Sequence, residues 1–166
     1  MAASASPVSL DRSDLPTVLG GVLLVNVVGA VPALLAGPDS AWFQQLTTPA
    51  LYPPGWVFGV VWTALFTLLG IAVALVWLAG TDRRDVRVAL GLFALQMAFN
   101  VAWTPAFFAL ENLLLGLAVI VSLWPLVLTT IAAFAGVDRR AAGLLVPYLL
   151  WVTFAAVLNY QFWAVN

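Results

Sequence analysis

The chain has 166 residues, of which 64% are hydrophobic and 8% are charged, and its mean hydropathy is +1.07. Because a soluble domain carries roughly a quarter charged residues, the apolar excess has to face lipid, and we expect an integral membrane protein. A net charge of −1 leaves no basic face for nucleic acid. The absence of cysteine, histidine and lysine excludes disulfides, thiolate and Schiff-base chemistry and the usual axial haem ligands.

The apolar segments predict an all-α fold, a single polytopic domain of five transmembrane helices over residues 15–166. A helix of about 20 apolar residues crosses a bilayer. Segment 1–14 lacks the basic start of a signal peptide, and we predict a short disordered tail there. The short breaks that follow spans 2, 3 and 4 predict antiparallel neighbours. In chain order, the predicted spans 1 to 5 are residues 15–35, 56–78, 86–108, 113–134 and 142–165.

The loop between spans 1 and 2 is longer than the other breaks. It holds Trp42, Phe43, Tyr52 and several prolines. Proline fixes its own backbone and restricts the residue before it, so regular helix is disfavoured across this segment. The aromatic side chains predict a lid at the membrane interface rather than a linker.

All six basic residues lie on one side of the predicted bundle, in the N-terminal tail or in the loops after spans 2 and 4. They are Arg12, Arg83, Arg84, Arg87, Arg139 and Arg140. The positive-inside rule places that side in the cytoplasm. We therefore expect a cytoplasmic N-terminus and an external C-terminus. The acidic pI near 4.9 and the lack of lysine suit a halophilic or otherwise unusual prokaryote, and we expect the protein in a prokaryotic cell membrane.

Three spans each carry one stripe of aromatic or hydrogen-bonding side chains at helical spacing. Such stripes can serve as interhelical hydrogen bonds and core packing, or they can line a pocket. We favour a pocket, because Trp and Tyr offer flat faces and polar tips to a planar amphipathic ligand. The stripes are Phe58, Trp62 and Phe66 on span 2; Gln96, Asn100 and Trp103 on span 3; and Tyr148, Trp151, Ala155 and Asn159 on span 5.

Span 3 also carries a ridge of small residues, Ala94, Ala98 and Ala102, at four-residue spacing. Small residues allow helices to approach closely in a membrane. The spacing fits packing inside the bundle and packing across a dimer equally well.

The middle of every predicted span lacks Asp, Glu, Lys, Arg and His. Proton-coupled carriers and pumps need such groups, and hydrolytic enzymes need a base or a metal. These classes are therefore disfavoured, and we predict no metal site.

Several motifs resemble those of the TspO/MBR proteins, a family of tryptophan-rich sensory proteins and translocator proteins. The order and spacing of these motifs match over about residues 15–166. They are Trp42-Phe43-x-x-Leu46-x-x-Pro49, Pro53-Pro54-Gly55-Trp56, Val61-Trp62-Thr63, Gln96-x-x-x-Asn100-x-x-Trp103-x-Pro105 and Pro147-Tyr148-x-x-Trp151-x-x-Phe154-Ala155-x-x-Leu158-Asn159-Tyr160.

This resemblance implies a five-helix bundle, often dimeric, that binds porphyrins and other hydrophobic ligands beneath the loop between helices 1 and 2. It places the ligand site at residues matching Trp42, Asn100, Trp103, Tyr148, Trp151 and Ala155. It also implies a dimer contact through Ala94, Ala98 and Ala102. Trp62 and Trp151 match the tryptophans tied to light-dependent porphyrin breakdown in some relatives, so they are the candidate catalytic residues. No basic residue follows Tyr160, which favours a tetrapyrrole over a sterol.

We therefore predict a membrane receptor or carrier for porphyrins, haem or similar planar ligands, linked to tetrapyrrole or stress signalling or transport. No cofactor is expected to be required, and the expected partners are the lipid bilayer, the ligand and a second copy of the chain. A tryptophan-dependent photochemical enzyme and a non-catalytic regulatory scaffold are the alternatives.

Overall fold

The structure, a computed structural model, describes residues 11–166. Every regular element among these residues is helical, and five of the helical segments are long and apolar enough to cross a membrane. The predicted all-α class and its five spans are therefore confirmed. The elements are a 3₁₀ turn Arg12–Asp14, α1 Leu15–Leu35, α2 Ala41–Gln45, α3 Gly55–Leu78, α4 Arg84–Thr104, a π-helical turn Pro105–Ala109, α5 Leu113–Val137, α6 Arg139–Leu144 and α7 Val146–Val165.

The observed bounds differ from the predicted spans mainly at helix ends. Residues 1–10 of the predicted tail lie outside the described residues, and Arg12–Asp14 forms a turn capped by the Asp11 side chain. Helix α5 continues to Val137, where Asp138 ends it and caps α6 through the backbone N–H of Arg140. The fifth span, Arg139–Val165, begins with α6 and continues after Leu145 as α7.

The five spans form a ring. Helix α1 packs on α3, α3 on α6, α7 on α5, α5 on α4, and α4 returns to α1. The segments that carry the arginines all lie at one end, which we call the arginine end, and the loop with α2 lies at the other, the α2 end. Asp138 is the buried acid at the arginine end, and its carboxylate lies 2.7 Å from the guanidinium of Arg140. This pairing satisfies a charge that would otherwise be costly to bury.

Two glycines set how closely α1 and α3 approach. A Cβ atom on Gly21 would lie 2.7 Å from the carbonyl oxygen of Gly70, and one on Gly70 would overlap the backbone of Val22. Helices in membranes associate through close packing of this kind. The contact lies toward the arginine end, where it fixes α1 against the bundle.

Candidate functional site

A cavity of about 320 Å³ lies inside the ring, beneath the loop that carries α2. Its walls come from α1, α3, α4, α5 and α7, with the π-helical turn near the α2 end. This volume falls at the small end of the range typical of small-molecule sites. Beside the cavity, α3 and α7 meet through aromatic rings.

The wall between α3 and α7 is aromatic. The rings of Trp62 and Phe66 stack with centroids 5.1 Å apart, and the edge of Trp62 meets Trp151 at 6.4 Å with an interplanar angle of 89°. Trp151 in turn meets Phe58 at 5.9 Å. The stripe predicted on α3 and the one on α7 therefore meet in one wall of the cavity and present flat π-surfaces to it.

A chain of hydrogen bonds lies behind this wall and joins α4 to α7. The Asn100 amide donates to the Tyr148 hydroxyl over 2.9 Å, and that hydroxyl donates to Oε1 of Gln96 over 3.0 Å. Tyr148 is fully buried. Asn100 lines the cavity, and its Oδ1 accepts no hydrogen bond from residues 11–166. The Tyr148 hydroxyl thus holds the Asn100 amide and leaves an acceptor for a ligand.

A second link between α4 and α7 runs along the cavity toward the α2 end. The Trp103 indole N–H donates to Oδ1 of Asn159 over 3.0 Å, and the Asn159 amide donates to the Ala155 carbonyl over 2.8 Å. The Trp103 ring stacks on Phe107 at 5.1 Å. These bonds fix the indole plane, so Trp103 is a rigid part of the wall.

The Trp151 indole N–H is buried and has no acceptor among the described residues. Tryptophan normally finds a partner for this donor when it is buried. Because Trp151 also lines the cavity, a ligand carbonyl or carboxyl group is a suitable partner. The site therefore offers an unused donor at Trp151 and an unused acceptor at Asn100, and neither carries a charge.

The roof of the cavity is an aromatic cluster under the loop at residues 36–54. The Phe43 ring, on α2, lies 5.3 Å from Phe108 and 5.5 Å from Phe162, and Tyr52 lies 5.4 Å from Phe58. Burial raises the pKa of the Tyr52 phenol, so this hydroxyl stays neutral at physiological pH. Tyr52 is the only titratable side chain among the described residues that line the cavity.

The roof also has a polar tie to the C-terminal end of α7. The Asn166 side chain accepts from the backbone N–H of Thr47 over 2.7 Å and donates to the Thr47 carbonyl over 3.1 Å. Nδ2 of Asn166 also donates to the Phe162 carbonyl. This pair of bonds to Thr47, which we call the roof clamp, holds the loop down on the bundle.

A π-helical turn positions two of the roof aromatics. Pro105 has no N–H to continue the α4 ladder, and its carbonyl instead accepts from the backbone of Leu110, five residues later, over 2.9 Å. The widened turn brings Phe107 and Phe108 under the loop, where both line the cavity.

The predicted ligand residues divide into three placements. Tyr148 lies behind the wall, and Trp42 is not among the lining residues but meets the edge of Phe107 at 5.8 Å. Sequence reasoning did not identify the lining residues on α1, such as Gly29 and Ala33, because small apolar residues in an apolar helix give no distinguishing signal. The predicted ligand residues that do line the cavity are Trp62, Asn100, Trp103, Trp151, Ala155 and Asn159.

The alanine ridge on α4 lies away from the cavity. Ala94, Ala98 and Ala102 are all exposed on the outer surface of the bundle. The spacing left two alternatives, packing inside the bundle and packing across a dimer. In the structure of the single chain the ridge does not pack inside the bundle. The dimer contact stays a prediction.

Five apolar spans arranged around an aromatic, uncharged cavity define a polytopic helical membrane protein. The chain belongs to the TspO/MBR family, whose model matches residues 21–164. It is 42% identical to the tryptophan-rich protein TspO of Chlorobaculum tepidum, over 78% of this chain and 82% of that one. It is 37% identical to the CrtK protein of Rhodobacter capsulatus, over 83% and 85% of the two chains, and 37% identical to the human translocator protein, over 78% of each.

Proposed function

We propose that this protein is a membrane receptor or carrier for planar hydrophobic molecules, and that its ligand is a tetrapyrrole. The observation that carries the proposal is the cavity itself, which has stacked and edge-on aromatic walls and contains isolated neutral polar groups. Such walls are suited to a flat π-system. The names of its relatives refer to sensing and translocation, and we extend that coarse role to this chain.

Enclosure and stacking, rather than metal ligation, account for binding in this proposal. The chain contains no histidine or cysteine, the usual axial ligands of haem iron. The indole N–H of Trp151 and Oδ1 of Asn100 remain to orient polar groups of the ligand. The central metal of a porphyrin therefore contributes little to affinity.

Titration in the dark tests this proposal. Metal-free protoporphyrin and haem are expected to bind purified protein in lipid nanodiscs saturably, with affinities within about threefold of each other, because stacking area is common to both. Binding is read from quenching of tryptophan fluorescence and from the porphyrin absorption band, against empty nanodiscs. Saturable binding of haem alone would contradict the stacking account, and saturable binding of neither would contradict the tetrapyrrole assignment.

A specific contact favours a second candidate function, light-dependent and oxygen-dependent breakdown of the bound porphyrin. Trp62 and Trp151 meet edge to face in the wall, at 6.4 Å, where both can contact a stacked macrocycle. Indole is oxidised more readily than phenyl, so these two residues are the candidates for electron donation to an excited pigment. The third alternative, a regulatory scaffold, predicts no saturable ligand at all.

The orientation in the membrane is part of the proposal. With all six arginines at one end, we place the N-terminus in the cytoplasm and the α2 end outside. A Ser40→Cys variant, whose thiol is the only one in the chain, is expected to react with a membrane-impermeant maleimide in intact cells. Reaction of Ser40→Cys only after lysis would reverse this orientation.

We also propose a homodimer through the exposed alanine ridge. An Ala98→Leu substitution inflates the centre of the ridge and is expected to convert dimer to monomer, because small-residue contacts depend on close approach. Mass measurement by light scattering in detergent checks the result, with Ala118→Leu on the exposed surface of α5 as the control. A wild-type mass for the Ala98→Leu variant would place the dimer contact elsewhere.

A further inference from the structure

We propose that ligands enter and leave the cavity sideways from the bilayer, between α1 and α3, rather than through the loop that forms the roof. This inference rests on the proposed function, since it concerns how a hydrophobic ligand reaches that same cavity. We call the gap the lateral opening and define it by the exposed cavity-lining residues of the two helices. These are Ala30 and Ala33 on α1, and Gly55, Gly59 and Thr63 on α3.

The exposure of the lining residues is the first argument. Every lining residue contributed by α4, α5, α7 and the π-helical turn is buried or half-buried. The exposed lining residues lie on α1, on α3 and, in the case of Pro38, in the loop just after α1. The ring of helices is therefore closed on four sides of the cavity and open on the fifth.

The packing between α1 and α3 changes along their length. Toward the arginine end they are in contact at Gly21 and Gly70, and the Asn26 amide donates to the Thr67 hydroxyl over 3.3 Å. Further along, the Phe66 ring occupies the space beside Gly29, where an added Cβ would overlap it. Phe66 thus forms the floor of the lateral opening.

Beyond Phe66 no large side chain fills the gap. A Cβ atom added to Gly55 or Gly59 would meet nothing within 4 Å. The neighbouring positions Ala30 and Ala33 carry only methyl groups. The two helices therefore leave a slot that a flat molecule can traverse edge-on, with the stacked rings of Trp62 and Phe66 directly inside it.

The surroundings of the slot are apolar. Leu34 is 83% exposed and Val60 is 60% exposed, one on each flanking helix. Thr63 is the one polar side chain among the residues that define the opening, and its hydroxyl donates to the Gly59 carbonyl over 2.8 Å. None of the described residues that define the opening is charged. A molecule dissolved in acyl chains meets no desolvation barrier there, so the chemistry selects ligands that partition into the bilayer.

The roof, by contrast, is closed. A route from water would have to separate Phe43 from Phe108 and Phe162 and break both bonds of the roof clamp between Thr47 and Asn166. Entry by that path would require the loop to lift. Lateral entry requires only that a ligand pass between helices whose facing residues are already small.

A bulky residue in the slot tests the route by its effect on the association and dissociation rates of the ligand. Gly59→Leu is expected to slow association of protoporphyrin by about tenfold and to slow dissociation as well, because a narrowed passage obstructs both directions. Stopped-flow fluorescence of protoporphyrin mixed with the protein in nanodiscs measures both. Gly136→Leu is the matched control, since Gly136 is an exposed helical glycine on α5 with open space around it, and it should keep wild-type rates.

A second experiment leaves the slot unchanged and immobilises the roof instead. Because the chain has no cysteine, a Thr47→Cys and Asn166→Cys pair can be joined selectively with a short dithiol cross-linker. The cross-linked protein is expected to bind protoporphyrin at the wild-type rate. Slowed binding after cross-linking, together with unslowed binding in Gly59→Leu, would assign entry to the roof and overturn the lateral route.

Damage to the site and obstruction of the passage change the dissociation rate in opposite directions. A distorted cavity in Gly59→Leu would speed dissociation, which would overturn the inference unless Ala33→Leu, on the other edge of the slot, slowed both rates. Saturable wild-type binding with neither variant slowed overturns the lateral opening and leaves the proposed function standing. Absence of saturable binding by the wild type overturns both.

Discussion

Replacing Ala155 with phenylalanine is expected to lower the affinity for protoporphyrin by up to about a hundredfold, since overpacking a filled site costs about 1–3 kcal/mol. Ala155 is a half-buried lining residue of α7, one turn from Trp151. In a cavity of about 320 Å³, an added phenyl ring takes up space that the macrocycle needs. Titration of the variant in nanodiscs, in the dark, measures the loss.

Ala118→Phe provides the control for Ala155→Phe. Ala118 lies on the exposed surface of α5 and does not line the cavity, so a phenyl ring there faces lipid and the affinity should stay near that of the wild type. If Ala155→Phe binds protoporphyrin as tightly as Ala118→Phe, the cavity is not the binding site.

The double variant Trp62→Phe and Trp151→Phe is expected to separate binding from photochemistry. Phenylalanine keeps much of the stacking area, so the affinity should fall by about tenfold at most for each residue, in line with the energies of aromatic contacts. Any light-dependent loss of the porphyrin band in air should fall much further, because phenyl does not readily supply an electron to an excited pigment. A titration in the dark gives the affinity, and absorption spectra taken at saturating protein, in light and in the dark, give the light-dependent loss.

The matched control changes two tryptophans that lie outside the cavity. Trp56 and Trp77 are 71% and 56% exposed and line no part of the site. Their double replacement by phenylalanine should leave both the affinity and the light effect unchanged. If the Trp62 and Trp151 variant breaks down porphyrin at the wild-type rate, the light effect belongs to the free pigment and the enzymatic reading fails.

Much of the cavity wall could be predicted from sequence because its residues contrast with their surroundings. An amide such as Asn100 is costly in hydrocarbon unless it is paired, and an indole is bulky for a plain membrane anchor. At helical spacing these residues mark a face, and the structure turns the faces of α3, α4 and α7 toward one another. Their hydrogen-bond partners, such as Tyr148 for Asn100, come from different helices and could not be paired from spacing alone.

The side of the cavity formed by α1 could not be predicted, for the opposite reason. Gly29 and Ala33 are ordinary residues for a lipid-facing helix, and their role depends on a gap that only tertiary packing reveals. The roof is a similar case. The contact between Thr47 and Asn166 joins residues at distant points of the chain, and neither residue type signals a partner. The resemblance of motifs placed a ligand beneath this loop without indicating what holds the loop down.

Protection of a single engineered thiol tests the central claim most directly, namely that a planar hydrophobic ligand occupies this cavity. An Ala155→Cys variant would carry the only thiol in the chain, and a membrane-permeant maleimide would label it from within the site. Saturating protoporphyrin, added in the dark, is expected to slow that labelling by about tenfold or more, since the macrocycle covers the thiol, while labelling of Ala118→Cys stays unchanged. Equal labelling of Ala155→Cys with and without protoporphyrin would contradict the account.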